Sequence, residues 1–159
     1  EAMGWIHLGP TLRACLIVGH FARTLPWRQS TAVGRALGRM LRWGWIGIIA
    51  GLALRAGFPV VHVALMHWVF IGGFALVTLA VGTRVVCGHC GTKHLIEGRG
   101  RWITTILVLV LLAMWTRISG DFWPKIQKTH FSYGALLWIA ALLTWAWHVL
   151  PGTFSSVDE

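Results

Sequence analysis

Acidic side chains are scarce in this sequence. Its 159 residues include five Asp and Glu against 14 Lys and Arg, and charged residues of both signs make up 12% of the chain. None of the five carboxylates lies deep within an apolar stretch; they are Glu1, Glu97, Asp121, Asp158 and Glu159. This scarcity argues against hydrolytic machinery built on carboxylates, and it disfavours a proton pump that relies on carboxylates inside a membrane.

Cysteine is also scarce, and three residues do not make the framework of a disulfide-stapled secreted domain. Cys87 and Cys90 flank His89 in a C-x-x-C spacing, but Gly91 follows the second cysteine where covalent c-type haem attachment requires His. A zinc or iron–sulfur centre would need a second cysteine pair, and the third thiol is the isolated Cys15. Two interpretations stay open: copper held by the thiolates and the imidazole, or inert cysteines at a helix end.

The remaining composition is typical of a membrane protein. Hydrophobic residues make up 56% of the chain, the mean hydropathy is +0.66, and 11 Trp accompany one Tyr. A water-soluble domain of this size needs a more polar surface. Tryptophan is also enriched where a membrane protein meets the headgroup region of the bilayer.

Five apolar stretches approach the roughly 20 residues that a helix needs to cross a bilayer. We predict an all-α, polytopic transmembrane bundle that forms a single domain over residues 1–159. The predicted spans cover about 2–21, 40–58, 60–86, 102–119 and 131–150.

The Lys and Arg residues between these stretches predict the orientation, because cytoplasmic loops retain positive charge. Nine lie on one side: Arg23, Arg28, Arg35, Arg39, Arg42, Arg84, Lys93, Arg99 and Arg101. Four lie on the other: Arg55, Arg117, Lys125 and Lys128. We therefore expect the amino terminus outside and the carboxyl terminus in the cytoplasm. The net charge of +9 is explained by topology, and no recognised nucleic-acid-binding module accompanies it.

The eight histidines fall into two layers along the predicted helices. One layer holds His7, His62, His67 and His130, and the other holds His20, His89, His94 and His148. An ionisable group within a membrane is costly and usually functional, and imidazole is a common ligand of haem iron and copper. We favour metal ligation for His7 and His67, which lie deeper in their spans, over a position in the wet interface.

Glycines recur at small-residue spacing in the second and third spans. Gly44, Gly47 and Gly51 line the second, and Gly72 and Gly73 follow His67 by about one turn in the third. Such glycines accommodate either a close helix neighbour or a flat macrocycle, and helix contact is the commoner cause.

A spaced set of residues resembles the NnrS-like family of haem- and copper-containing bacterial inner-membrane proteins. The resemblance covers most of the chain, and its most specific part runs along the third span. It rests on His67, Gly72, Thr78, Thr83, Arg84, Gly88, His89 and Gly91, with support from residues 5–9, from Thr116 and Arg117, and from residues 137–138 and 150–151.

The resemblance implies a membrane haem protein associated with nitric oxide and protection from nitrosative stress. His67 and His89 match recurring family histidines, Arg84 matches a recurring arginine, and His7 matches less closely. We expect haem b near the outer leaflet, ligated by His67 with His7 as the second candidate. Arg84 would either neutralise a haem propionate or anchor a helix end.

Two features depart from the family pattern. Family members have roughly twelve helices, and the five predicted here resemble the carboxyl-terminal part, so the other helices would come from outside this sequence or from partner chains. The cysteines beside His89 are also absent from the family string. Two alternatives therefore stay open: a structural or assembly subunit without its own cofactor, and a cytochrome-b-like electron carrier whose histidine pairs clamp haem.

Overall fold

The computed structural model describes residues 2–24, 35–97 and 100–154, and within these ranges it contains helices and no strands. The six helices are α1 Ala2–Thr24, α2 Arg35–Gly57, α3 His62–His89, α4 His94–Glu97, α5 Arg101–Phe122 and α6 Gln127–Phe154. Short 3-10 turns precede α3 at Pro59–Val61 and α6 at Pro124–Ile126. Among the charged residues used above, Glu1, Arg28, Arg99, Asp158 and Glu159 lie outside the described residues.

The predicted all-α transmembrane class is confirmed. Four helical segments are long and apolar enough to cross a membrane: Arg35–Gly57, His62–His89, Arg101–Phe122 and Pro124–Thr153. The first predicted span contains a shorter apolar helical stretch, Thr11–Phe21. The structure starts α2 at Arg35, ahead of the predicted residue 40, and continues α5 to Phe122, beyond the predicted residue 119.

The main core lies where α2, α3, α5 and α6 meet. Its most completely buried side chains include Met40, Leu76, Ile103, Ile106 and Val110. The opposite faces of the helices stay apolar and exposed, as expected of surfaces that face lipid tails. Lipid is as apolar as these side chains, so the helices associate mainly through close packing and hydrogen bonds between helices.

Helices α2 and α3 cross in near backbone contact through their glycines. A Cβ atom added to Gly47 would collide with the backbone of Gly72, and one added to Gly44 would lie 3.1 Å from the Gly73 carbonyl oxygen. A Cβ on Gly72 would also meet the sulfur of Met114 on α5. Of the two interpretations of these glycines, helix contact is therefore the one that the structure supports, and neighbouring helices fill the space beside Gly72.

A π-helical segment, Trp68–Ala75, interrupts α3 immediately after His67. π-Helical turns are rare and frequently occur at functional sites. Gly72 and Gly73 lie inside the segment, so the wider turn coincides with the close approach of α2. The segment sets the rotation of His67 relative to the second half of α3.

Candidate functional site

His67 lies one turn into α3, at the end of the bundle where α2 ends and α3 begins. A Cβ on Gly51 of α2 would lie 3.4 Å from the Leu65 carbonyl oxygen and 3.2 Å from the Val69 nitrogen, so Gly51 faces the turn that holds His67. We call this region the His67 end, and the opposite region, where α3 ends, the His89 end.

The imidazole of His67 is oriented by its own helix. Its Nδ1 atom lies 2.9 Å from the carbonyl oxygen of Val63, one turn earlier. A carbonyl oxygen only accepts hydrogen bonds, so Nδ1 carries the proton and donates it. In the neutral ring, this tautomer leaves the lone pair of Nε2 available to a metal. The side chain is 28% exposed, which leaves it accessible from outside the bundle.

An ion pair on α5 lies beside His67. The Nη1 atom of Arg117 donates to Oδ1 of Asp121 at 3.2 Å, one helical turn away. The guanidinium carbon of Arg117 also lies 3.3 Å from the centre of the Phe131 ring on α6. Asp121 Oδ2 is buried without a hydrogen-bond partner and lies 4.0 Å from Nδ1 of His67. That distance is too long for a hydrogen bond, so Val63 orients the ring and Asp121 contributes a nearby negative charge.

A second histidine occupies the same end of the bundle. His130 Nδ1 on α6 lies 2.8 Å from the hydroxyl oxygen of Ser119 on α5. The hydroxyl donates to the Thr116 carbonyl oxygen at 3.0 Å, so it accepts from His130. In its neutral form, His130 therefore has the same Nδ1–H tautomer as His67.

A cavity of about 260 Å³ lies between α3, α5 and α6, next to Arg117 of the Arg117–Asp121 ion pair. Arg117 supplies its charged wall, and Ile71, Phe131 and Trp138 supply much of its apolar wall. The volume accommodates a small molecule or part of a larger one. Asp121 neutralises Arg117, so this cavity carries little net charge.

The predicted site residues near the carboxyl-terminal end of α3 are widely separated from His67. His7 lies in α1, but its side chain is outside the described residues. Arg84 and His89 are exposed near the end of α3. At about 1.5 Å of rise per residue, His89 lies roughly 30 Å from His67 along the helix. His67 and His89 cannot bind the same metal ion within this chain.

The two predicted copper-ligating cysteines differ in exposure. Cys87 is fully buried in the main core, Cys90 is partly buried at the end of α3, and His89 between them is exposed. Within residues 2–24, 35–97 and 100–154, no group of three or more His, Cys, Asp or Glu side chains is arranged to hold a metal ion. Copper at Cys87, His89 and Cys90 stays a prediction.

Sequence reasoning assigned no site role to the pair Arg117 and Asp121. It ended the fourth span at residue 119, used Arg117 for topology and for the family resemblance, and counted Asp121 only among the scarce carboxylates. The available signal was their four-residue spacing, which places opposite charges on one face of a helix. Asp121 is also the single acidic residue among residues 100–154.

A comparison with family models matches residues 2–155 to the NnrS protein family. No curated protein matches the chain, and no solved structure matches it. The family match extends over nearly the whole sequence and includes every helix described above. The chain therefore belongs to the NnrS family.

Proposed function

We propose that this chain is a membrane haem protein of the nitric-oxide stress response, with haem b bound at the His67 end. Family membership supports the general class, a haem- or copper-type membrane protein linked to nitric oxide. The assignment of haem b, its ligand and its location in the bundle are our proposals.

One observation carries the proposal: the 2.9 Å contact between His67 Nδ1 and the Val63 carbonyl oxygen. Histidines that bind metals usually donate their other ring N–H to a carbonyl or carboxylate, which fixes the tautomer and the ring orientation. Here the carbonyl comes from the preceding turn of the same helix, so the ring is oriented before any metal binds. Asp121 lies 4.0 Å from the same Nδ1 atom, but it makes no hydrogen bond to the ring and its charge is paired with Arg117.

The described residues therefore fit a haem ligated through Nε2 of His67. When bound, haem supplies an iron atom that can coordinate a diatomic gas such as nitric oxide. The protein contributes the oriented imidazole, and a cavity of about 260 Å³ lies one turn further along α3, where Ile71 and Arg117 line it. His7 remains our proposed second ligand, and His130 is a further candidate because it shares the tautomer and the end of the bundle.

The roles at the His89 end are separate proposals. His89 with Cys87 and Cys90 would bind copper, and Arg84 would neutralise an acidic group or anchor the helix end. The distribution of Lys and Arg supports an inner-membrane protein with the His67 end outside and the His89 end in the cytoplasm.

The test is the haem content of the full chain, purified in mild detergent, when His67 is replaced by Ala. We expect wild-type protein to show a Soret band with iron near one per chain, and His67→Ala to lose most of both. His62→Ala is the matched control, because His62 is an exposed histidine five residues earlier in the same helix. Imidazole added to His67→Gly should restore part of the band.

Several outcomes would contradict the proposal. Equal haem content in His67→Ala and wild type would remove His67 from the site. A colourless, iron-free wild-type protein would favour the structural-subunit alternative, and two haems per chain would favour the cytochrome-b-like one. Copper counted on the same samples, with Cys87→Ser and Cys90→Ser, tests the other end independently.

A further inference from the structure

Two arginines line a cavity between α1 and α2. This cavity is not part of the proposed haem site. Arg13 and Arg55 line this cavity of about 260 Å³ together with Gly9, Ala14 and Leu52. Gly9 has open space where a side chain would be, so α1 does not fill the cavity from its own side.

The charges of these two arginines have no carboxylate partner among the described residues. The described carboxylates are Glu97 and Asp121; Glu97 lies on α4 beyond the His89 end, and Asp121 pairs with Arg117. The contrast with Arg117 is direct, because that guanidinium is neutralised by an anion in the protein. Within residues 2–24, 35–97 and 100–154, no carboxylate compensates the two positive charges of this cavity.

The position of the cavity brings these two positive charges close to the membrane border. Leu52 is next to Gly51, which faces the turn of α3 that holds His67, and Arg55 lies two residues before the end of α2. The cavity is therefore within the His67 end, close to the border between hydrocarbon and headgroups. Arginine inside a membrane usually pairs with an anion or reaches toward the headgroups, because its burial in hydrocarbon is unfavourable.

Arg13 lies beside an exposed apolar face of α1. Leu12 and Leu16, which flank Arg13 along α1, are 58% and 73% exposed, as expected of side chains that contact lipid tails. Phosphate oxygens match the planar donors of guanidinium groups, and basic pockets between membrane helices bind acidic lipid headgroups. We propose that Arg13 and Arg55 bind the phosphate of an anionic phospholipid, whose acyl chains lie along the leucine face of α1.

The experiment measures lipid retention by the full chain in native mass spectrometry. Protein in mild detergent is mixed with equal amounts of phosphatidylglycerol and phosphatidylcholine, and bound lipids are counted. We expect preferential retention of one phosphatidylglycerol by the wild type. Arg13→Gln and Arg55→Gln each remove one charge-assisted contact, so each should weaken the preference about tenfold.

The matched control is Arg42→Gln, because Arg42 is an exposed arginine in the other half of α2. It should retain the wild-type preference, and Arg13→Lys, which keeps the charge, should retain part of it. If the wild-type protein retains the two lipids equally, the proposal is overturned and no variant needs to be measured.

Two further measurements distinguish the sources of an anionic ligand. If excess inorganic phosphate binds the wild type and abolishes the preference, the occupant is a soluble anion and the lipid proposal fails. If Arg13→Gln loses haem while its lipid preference is unchanged, the arginines bind the propionates of haem, and the lipid proposal also fails. Loss of lipid preference with haem retained supports the lipid site alone and leaves the haem proposal standing.

Discussion

Replacing Gly47 with Ala should separate α2 from α3. The added Cβ would lie 2.7 Å from the carbonyl carbon of Gly72 and 3.0 Å from the nitrogen of Gly73. Both atoms belong to the backbone, so no side chain can rotate away and the helices themselves must move. Overpacking typically costs about 1–3 kcal/mol, and a rigid backbone contact belongs at the upper end. Alanine is more favourable than glycine in a helix by about 0.5–1 kcal/mol, which offsets part of this cost. We therefore expect a net destabilisation of about 2 kcal/mol.

Gly82→Ala provides the matched control, because it makes the same change in α3 at a position where an added Cβ has nothing within 4 Å. That variant should be unchanged or stabilised by up to about 1 kcal/mol. The free energy of unfolding can be measured by titrating the protein from mild detergent into dodecyl sulfate while following helical circular dichroism. If the two alanine variants unfold at the same dodecyl sulfate fraction, the backbone contact between α2 and α3 does not limit stability and the reasoning is wrong.

Two other polar contacts give predictions for the same unfolding assay. Asp121→Asn should lower the free energy of unfolding by about 1–3 kcal/mol because it leaves Arg117 without its anion. Asp121 is 20% exposed, so this decrease should be smaller than for a fully buried pair. Adding Arg117→Gln should recover part of the lost stability. Thr83→Val should cost a similar amount because Trp145 Nε1 donates to the Thr83 hydroxyl at 2.9 Å and would lose its acceptor. Adding Trp145→Phe should then cost much less than Trp145→Phe does alone, and fully additive costs would contradict this contact.

The sequence was sufficient to predict the helical membrane class because that class depends on local composition. Long apolar runs with few charges can satisfy their backbone groups in lipid only as helices or closed barrels, and their lengths of roughly 20 residues indicate helices. The histidine layers were also predictable in part, since depth along a helix follows from residue number. His67 and His130 both lie at the same end of the bundle.

The side-chain network around His67 could not be predicted in the same way. The extension of α5 to Phe122 places Asp121 one turn beyond Arg117 on the same helix, and hydropathy alone did not indicate that the helix continues past residue 119. The π-helical segment after His67 coincides with the approach of α2, a tertiary contact that hydropathy does not encode. The cavity lined by Arg13 and Arg55 likewise results from the packing of α1 against α2, which a single sequence does not show.

The glycine contact also restricts where a macrocycle ligated by His67 could lie. Gly47 and Gly72 bring α2 and α3 together at their backbones, and Met114 covers Gly72 from α5, so a porphyrin cannot enter between these helices without separating them. His67 itself is 28% exposed, so its accessible edge faces away from that contact. Haem on His67 would therefore lie against the outer edge of α3. Gly47→Ala separates the two helices, so it should lower the free energy of unfolding strongly and the haem affinity of the folded protein only slightly. His67→Ala should lower the haem affinity strongly and the free energy of unfolding only slightly.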